Sequence, residues 1–297
     1  MKKRIEQFIP GEQREGFFFC SPLILLSVVF ILLPVMGTLA ASFLRDVTFL
    51  PTKLIFFQNF SRLFADAHFW QAFRFTLLFV FVSVFLELIL GLVFALILNA
   101  AVPGSGWLRA AVLIPWAIPV AISARVWQLI YNFEYGSLNY IILKLGLADQ
   151  PVNWLGTPAG AFVSLVVSDV WKTAPFIALI LLAGLSVIPG ELYKQAMIDG
   201  ANAVQRFFRI TLPSLRLVLV VALLFRTIDA IRIFDLIYVL TGGGPGGSTN
   251  SLSLYAYHYY LSGDYGYGSA LSVIIFIIAS ALAVTYIRVG RFGEALK

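Results

Sequence analysis

From Gly16 to Leu44 the chain carries no charged residue. About twenty apolar residues, each rising about 1.5 Å along a helix, cross the hydrocarbon core of a bilayer, so this stretch alone is long enough to span a membrane. A secretory signal core runs only to about 7–15 residues. The charges ahead of it, Lys2, Lys3, Arg4, Glu6, Glu12, Arg14 and Glu15, therefore read as a membrane flank and not as a cleavable leader. The rest of the chain agrees. Hydrophobic residues make up 60% and charged residues 12%, against about 45–50% and about 25% in a soluble domain. With a mean hydropathy of +0.90, too little polar sequence remains to cover a globule, and the surplus apolar surface must face lipid. The net charge of +6 is scattered, with no basic run that would suit a nucleic acid; cationic flanks on hydrophobic helices account for it. Cys20 is the single cysteine, which excludes an internal disulfide framework or a thiolate zinc site.

The expected fold is all-α: a polytopic membrane protein of about six spans near 17–43, 75–98, 108–131, 160–187, 212–240 and 266–288, preceded by a cytoplasmic segment 1–16 and followed by a cytoplasmic tail 289–297. The first span is uncharged, and so is the last apart from Arg288 at its edge. The middle four hold Glu87, Arg125, Asp169, Lys172, Arg226, Asp229, Arg232 and Asp235, and charges at membrane depth face a bundle interior or a wet cavity. With the N-terminus inside, Lys2, Lys3, Arg4, Arg14, Arg109, Lys194, Arg206, Arg209, Arg216, Arg288, Arg291 and Lys297 fall on the cytoplasmic side. Only Arg45, Lys53, Arg62, Arg74 and Lys144 fall outside. The positive-inside bias thus places both termini in the cytoplasm.

Asp46 to Trp70, rich in Phe, and Tyr131 to Thr157, with an amphipathic stretch around 138–147, are expected as outer loops. Between the fourth and fifth spans, about 189–213, Pro189 and Gly190 mark a helix start and Gly200 a stop. Leu192, Ala196, Met197 and Ile198 interleave with Glu191, Lys194, Gln195 and Asp199, giving a short amphipathic helix on the cytoplasmic face, a natural docking element. The run Gly242 to Gly247 has no following lysine, so it fails as a phosphate-binding loop and reads as a turn at a membrane exit. His68 and His258 both fall outside the membrane, which argues against a buried Ser–His dyad and an intramembrane enzyme. Trp116, Trp127 and Trp154 read as interfacial anchors or packing.

The inner segment also carries a family pattern. Glu191-Leu-Tyr-Lys-Gln-Ala196-Met-Ile-Asp199-Gly200-Ala201, followed by Ile210, Leu212 and Pro213, resembles the signature of ABC importer permeases, with Gln195 where the pattern has Ala. Ile114-Pro115-Trp116-Ala117-Ile118-Pro119 and Tyr135-Gly136-Ser137 are similar to the third span and following loop of carbohydrate-importer permeases. Thr241-Gly-Gly-Gly-Pro245 resembles the exit of the fifth span in the first permease of the maltose and glycerol-phosphate class. The resemblance covers roughly residues 15 to 295 and implies a sugar importer of the bacterial cytoplasmic membrane. Its second permease subunit would pair with this chain, two ATP-binding subunits would hold ATP and Mg, and an extracytoplasmic binding protein would deliver the solute, with no cofactor in this chain. Glu191, Ala196, Asp199, Gly200 and Ala201 would then form the ATPase-coupling helix. The alternative is an ion-coupled secondary transporter using the buried carboxylates, a class that usually shows internal repeats.

Counting from the inner ends of the fourth and fifth spans puts Lys172 and Arg226 at similar depth, with Asp169 and Asp229 about one turn further out. Asp169, Thr173 and Phe176 share one helix face; Arg226, Ala230 and Ile233 share another, with Asp229 about 60° away. An acid, a hydroxyl, a cation and a flat ring suit a sugar, whose hydroxyls donate and accept while its C–H face packs on a ring. The same charges could instead neutralise one another, Arg226 with Asp229 at i, i+3. In maltose-type permeases the sugar lies against these two spans. The resemblance therefore implies a solute site at Asp169, Lys172, Thr173, Phe176, Arg226, Asp229, Ala230 and Ile233. Arg232 and Asp235, turning away along the helix, are expected in ion pairs or at the partner interface.

Overall fold

The computed structural model describes residues 10–100 and 105–290; the expectations for 1–9 and 291–297 concern positions outside these. The first span is one continuous rod, α1 (Pro10–Ser27) running through a π-helical turn (Val28–Leu32) into α2 (Leu33–Ser42). Its apolar side chains, Phe30, Ile31 and Leu33 among them, are exposed, as a lipid-facing or partner-facing helix requires. A short hairpin, β1 (Leu44–Arg45) against β2 (Lys53–Leu54), and α3 (Gln58–Ala65) follow. The second span, α4 (Ala67–Asn99), starts well before the expected residue 75, so the expected outer loop to Trp70 is in part helical. Asp66 sets that start: its carboxylate accepts the His68 backbone N–H as an N-cap. At about 1.5 Å per residue α4 is about 50 Å long and stands proud of a core about 30 Å thick.

The third span is not one helix. α5 (Ser105–Ala117) and α6 (Val120–Ile130) meet at a bend of 91°. Pro115 and Pro119 each remove a donor from the ladder and crowd the preceding turn, which accounts for the break. After α7 (Ser137–Lys144), the fourth span, α8 (Pro158–Ser186), opens with Thr157 accepting the Gly160 N–H and Pro158 in the first turn. The short helix α9 (Gly190–Ile198) lies where expected. Its Gly200, at φ +78°, closes a Schellman motif: Ala201 N–H donates to Ala196 O at 2.8 Å and Gly200 N–H to Met197 O at 3.1 Å.

The fifth span is also discontinuous, contrary to the expected single helix 212–240. α10 (Ala203–Arg206), a π turn (Phe207–Thr211) and α11 (Leu212–Ser214) meet α12 (Arg216–Ile231) at 65°. The chain breaks again at Arg232–Phe234 before α13 (Asp235–Leu240). Ser251 donates its hydroxyl to the Ile233 carbonyl at 2.8 Å, satisfying an acceptor that the break frees. Turns through the glycine run lead to α14 (Leu252–Leu261), a helix with no counterpart in the sequence expectation, and α15 (Tyr265–Gly290) is the last span. Among the described residues four helices are long and apolar enough to cross a membrane, and up to six spans result if each bent pair counts as one.

The bundle core is built by α4, α8, α12 and α15. Where α4 crosses α8, a Cβ on Gly91 would stand 2.6 Å from Ile177 Cγ2, so only glycine permits that approach. At one end of α4, α3, α14 and the start of α15 form a cap in which the Asp66 carboxylate accepts hydrogen bonds from the Tyr255 and Tyr267 hydroxyls.

Candidate solute site

Glu87 of α4, Asp169 of α8 and Arg226 of α12 converge in the bundle interior, where Glu87 and Arg226 are almost wholly buried. Arg226 grips Glu87 side-on: Nε donates to Oε2, and Nη2 donates to Oε1 at 2.8 Å. The same Nη2 donates to Asp169 Oδ2, and Nη1 reaches Asp229 Oδ2 at 3.4 Å. The Thr173 hydroxyl sits 2.6 Å from both Glu87 Oε1 and the Asp169 carbonyl oxygen. Charges this deep persist only when paired and hydrogen-bonded, and this knot meets that condition. Pairing is therefore present, although the main partners of Arg226 are Glu87 and Asp169 and not the i, i+3 neighbour Asp229.

Two adjoining cavities open on the knot. One, of about 120 Å³, is lined by Asp169, Lys172, Thr173, Arg226, Asp229 and Ile233, with Val120, Arg232 and Phe234 to Leu236. The other, of about 440 Å³, shares Thr173, Arg226, Asp229 and Arg232 and adds Trp116, Phe176, Leu224 and Phe225. Asp229 is the open acid of the set, 65% exposed. The Trp116 and Phe176 rings stack at 5.7 Å with 16° between planes, giving a flat apolar wall opposite the charges. A larger cavity of about 500 Å³ between α4, α5 and α8 is lined by residues such as Leu86, Leu90, Phe94 and Val170 and offers hydroxyls little to bond.

Most of the residues singled out from the sequence thus come together, with three differences. Ala230 is fully buried in the apolar core beside Tyr255, Tyr267 and Leu271, away from both cavities. Lys172 lines the smaller cavity, yet its ammonium donates to the backbone carbonyls of Trp116, at 3.3 Å, and Ile118. Arg232 makes the ion pair expected of it, with Asp229 at 3.7 Å, but both Arg232 and Asp235 line the cavity instead of turning away, because α12 ends at Ile231 and the helical rotation used to place them stops there. Arg125 is exposed, bonds Gln128 at 2.7 Å and takes no part in the knot.

Two contributors escaped the sequence reading. Glu87 carried a signal, as the lone charge in its span, but nothing in the order of residues says which charge it meets. Trp116 reads as an interfacial anchor until the break beside it turns the ring onto Phe176. The breaks after Ala117 and at Arg232–Phe234 border the cavities, as unwound backbone at membrane depth does.

Residues 87–292 match the family model described as "Binding-protein-dependent transport system inner membrane component". The trehalose/maltose transport system permease protein MalF of Thermococcus litoralis is 55% identical over 282 residues, covering 95% of each chain. The sulfoquinovosyl glycerol transport system permease protein SmoG of Agrobacterium fabrum is 37% identical over 284 residues, 95% of this chain and 92% of that one. Among solved structures, a bacterial ABC transporter involved in the import of the acidic polysaccharide alginate superposes with a TM-score of 0.81 at 25% identity, covering 94% of this chain and 96% of its counterpart. With the matched segment spanning well over half its length and relatives this similar, the chain belongs to the inner membrane components of binding-protein-dependent transport systems.

Proposed function

We propose that this chain is the pore-forming permease subunit of an ATP-driven importer that carries a sugar, of the disaccharide or oligosaccharide class, across the cytoplasmic membrane. The observation that carries this reading is the cavity on the Glu87–Asp169–Arg226 knot. It combines an open acid, a cation, a hydroxyl and a stacked aromatic wall, and its larger part falls in the range of about 300–1,000 Å³ typical of small-ligand sites. Sugar hydroxyls bond the polar rim while a C–H face packs on Trp116 and Phe176. The names of the two relatives, both transporters of sugar-containing solutes, support the class. We assign solute contact to Asp169, Thr173, Phe176, Arg226, Asp229 and Ile233. The family match and the two relatives named above are components of binding-protein-dependent or named sugar transport systems and lend the ion-coupled alternative no support.

The energy would come from partners. α9 and the turn after it, with Glu191, Asp199 and Gly200 exposed and Ala196 and Ala201 half-buried, present Leu192, Met197 and Ile198 outward. Exposed apolar side chains interleaved with charged ones suit a groove on an ATP-binding subunit. The Tyr193 hydroxyl bonds Thr211 at 3.0 Å, so a push on α9 would reach the start of the fifth span. A second permease, two ATP-binding subunits and an extracytoplasmic binding protein complete the proposed assembly, with both termini of this chain in the cytoplasm. The test is uptake of trehalose by the assembled transporter in proteoliposomes with Asp169→Asn and Phe176→Ala. Lost or altered transport with intact assembly and basal ATPase activity is expected; unchanged uptake kinetics and solute preference in both would refute the site.

A further inference from the structure

The buried lysine of the cavity holds backbone, not an acid. Lys172 is 7% exposed, and its ammonium donates to the carbonyls of Trp116 and Ile118 on either side of Ala117, where α5 ends. Among the described residues no carboxylate forms an ion pair with it. In an unbroken helix those two carbonyls would accept from the N–H groups of Val120 and Ile122. The 91° bend takes these donors away, and the first bond on the far side is Ser123 N–H to Pro119 O at 3.0 Å. Acceptors orphaned at membrane depth are costly unless something serves them. A cation at the carboxyl end of a helix also meets the negative end of its dipole. The pin sits where it matters. Trp116 carries the ring stacked on Phe176, Val120 begins α6 and lines the smaller cavity, and α6 packs on α13, whose first residues line the same cavity.

We infer that Lys172 is a positioning residue: it pins the break of the third span to the fourth, and so fixes the aromatic wall and the α6 edge of the cavity without itself binding solute. The proposal rests on the reading of this cavity as the solute site, but the pin can be measured without any solute. Spin labels at Leu108→Cys and Leu129→Cys, on the two exposed arms of the bend, report its angle in the assembled transporter carrying Cys20→Ser. Lys172→Met is expected to broaden the label distance distribution with no sugar present and to lower trehalose uptake about tenfold or more, as befits losing buried hydrogen bonds from a charged donor. Lys172→Arg, which still donates, is expected to restore the narrow distribution and bring uptake back toward wild type. A narrow, wild-type distribution in Lys172→Met would overturn the proposal, whatever happens to uptake, because the lysine would then act on solute and not on the bend. Should Lys172→Met fail to assemble, Lys172→Ser keeps the site polar but is too short to reach either carbonyl; a broadened distribution there supports the pin and an unchanged one overturns it. Failure of the solute site itself would show separately, as unchanged uptake in Asp169→Asn and Phe176→Ala.

Discussion

The guanidinium of Arg226 and the carboxylate of Glu87 lie side by side in the middle of the bundle, 139 residues apart in the chain. A side-on pair of this kind fixes both groups in orientation as well as distance, and here it ties the second span to the fifth. Asp169 draws the fourth span into the same knot. Three spans are thus registered against one another at the depth of the cavity, and the face of Arg226 turned toward Asp229 is left at the cavity edge.

Removing one member of a buried pair leaves the other charge uncompensated, at a cost of about 3–5 kcal/mol. Arg226→Leu is therefore expected to abolish or strongly destabilise the assembled permease, as read by its thermal midpoint in detergent. Glu87→Gln together with Arg226→Gln is expected to be milder than the sum of the single changes, since groups in one network do not act additively. Strictly additive losses would dissolve the pairing argument.

Spans with a long uncharged run, such as 17–43 and 266–288, were legible because apolar length alone decides them. So was α9, whose start and terminal glycine each have a local cause. The breaks were not. Pro115 and Pro119 announce a disturbance, but a proline can kink a helix as well as break it. At Arg232–Phe234 there is no proline, and the carbonyl of Ile233 is served by Ser251 from a loop that is distant in sequence. Once α12 ends, helical counting misplaces Arg232 and Asp235. Ala230 fails for another reason: its face on α12 meets the core contributed by α15 and α14, and which face of a buried helix looks at the cavity depends on neighbours the local sequence does not name.

Asp66 gives a pH test. Burial alone would raise its pKa, but hydrogen bonds from the Tyr255 and Tyr267 hydroxyls and the His68 backbone N–H outweigh this and hold it below the usual 3.8. A depressed carboxylate contributes stability that is fully present above the ordinary value and is lost as pH falls through the lowered one. Wild type should therefore exceed Asp66→Asn in thermal midpoint at neutral pH, with the gap closing as the solution is taken below 3.8. A gap of constant size across that range would mean that the cap owes nothing to the charge.

Topology can be read from sealed membranes. In a Cys20→Ser background, Lys194→Cys on exposed α9 should react with an impermeant maleimide only from the cytoplasmic side. Asp149→Cys, exposed in the loop between α7 and α8, should react only from the other. Labelling of Lys194→Cys from outside in right-side-out vesicles would invert the whole arrangement and remove α9 from any contact with an ATPase.

The end of α9 offers a sharper test of coupling, because its geometry depends on backbone alone. Gly200 sits at φ +78°, and a Cβ there would meet nothing within 4 Å. The Cβ of Gly200→Val therefore meets no neighbour. The substitution does force a β-branched residue into the left-handed region, at about 1–2 kcal/mol or more, and so loosens the two bonds that close the Schellman motif, Ala201 to Ala196 and Gly200 to Met197. The membrane spans, which share no contact with that Cβ, should insert as before. The turn that carries Asp199 and Ala201 should lose its fixed shape, and a push on it would no longer pass cleanly to Tyr193 and Thr211. The expected phenotype is a transporter that assembles and hydrolyses ATP but imports little sugar per ATP, with Gly200→Ala milder because it lacks the branch. Uptake and solute-stimulated hydrolysis both at wild-type levels in Gly200→Val would show that α9 is not the element through which the ATPase acts.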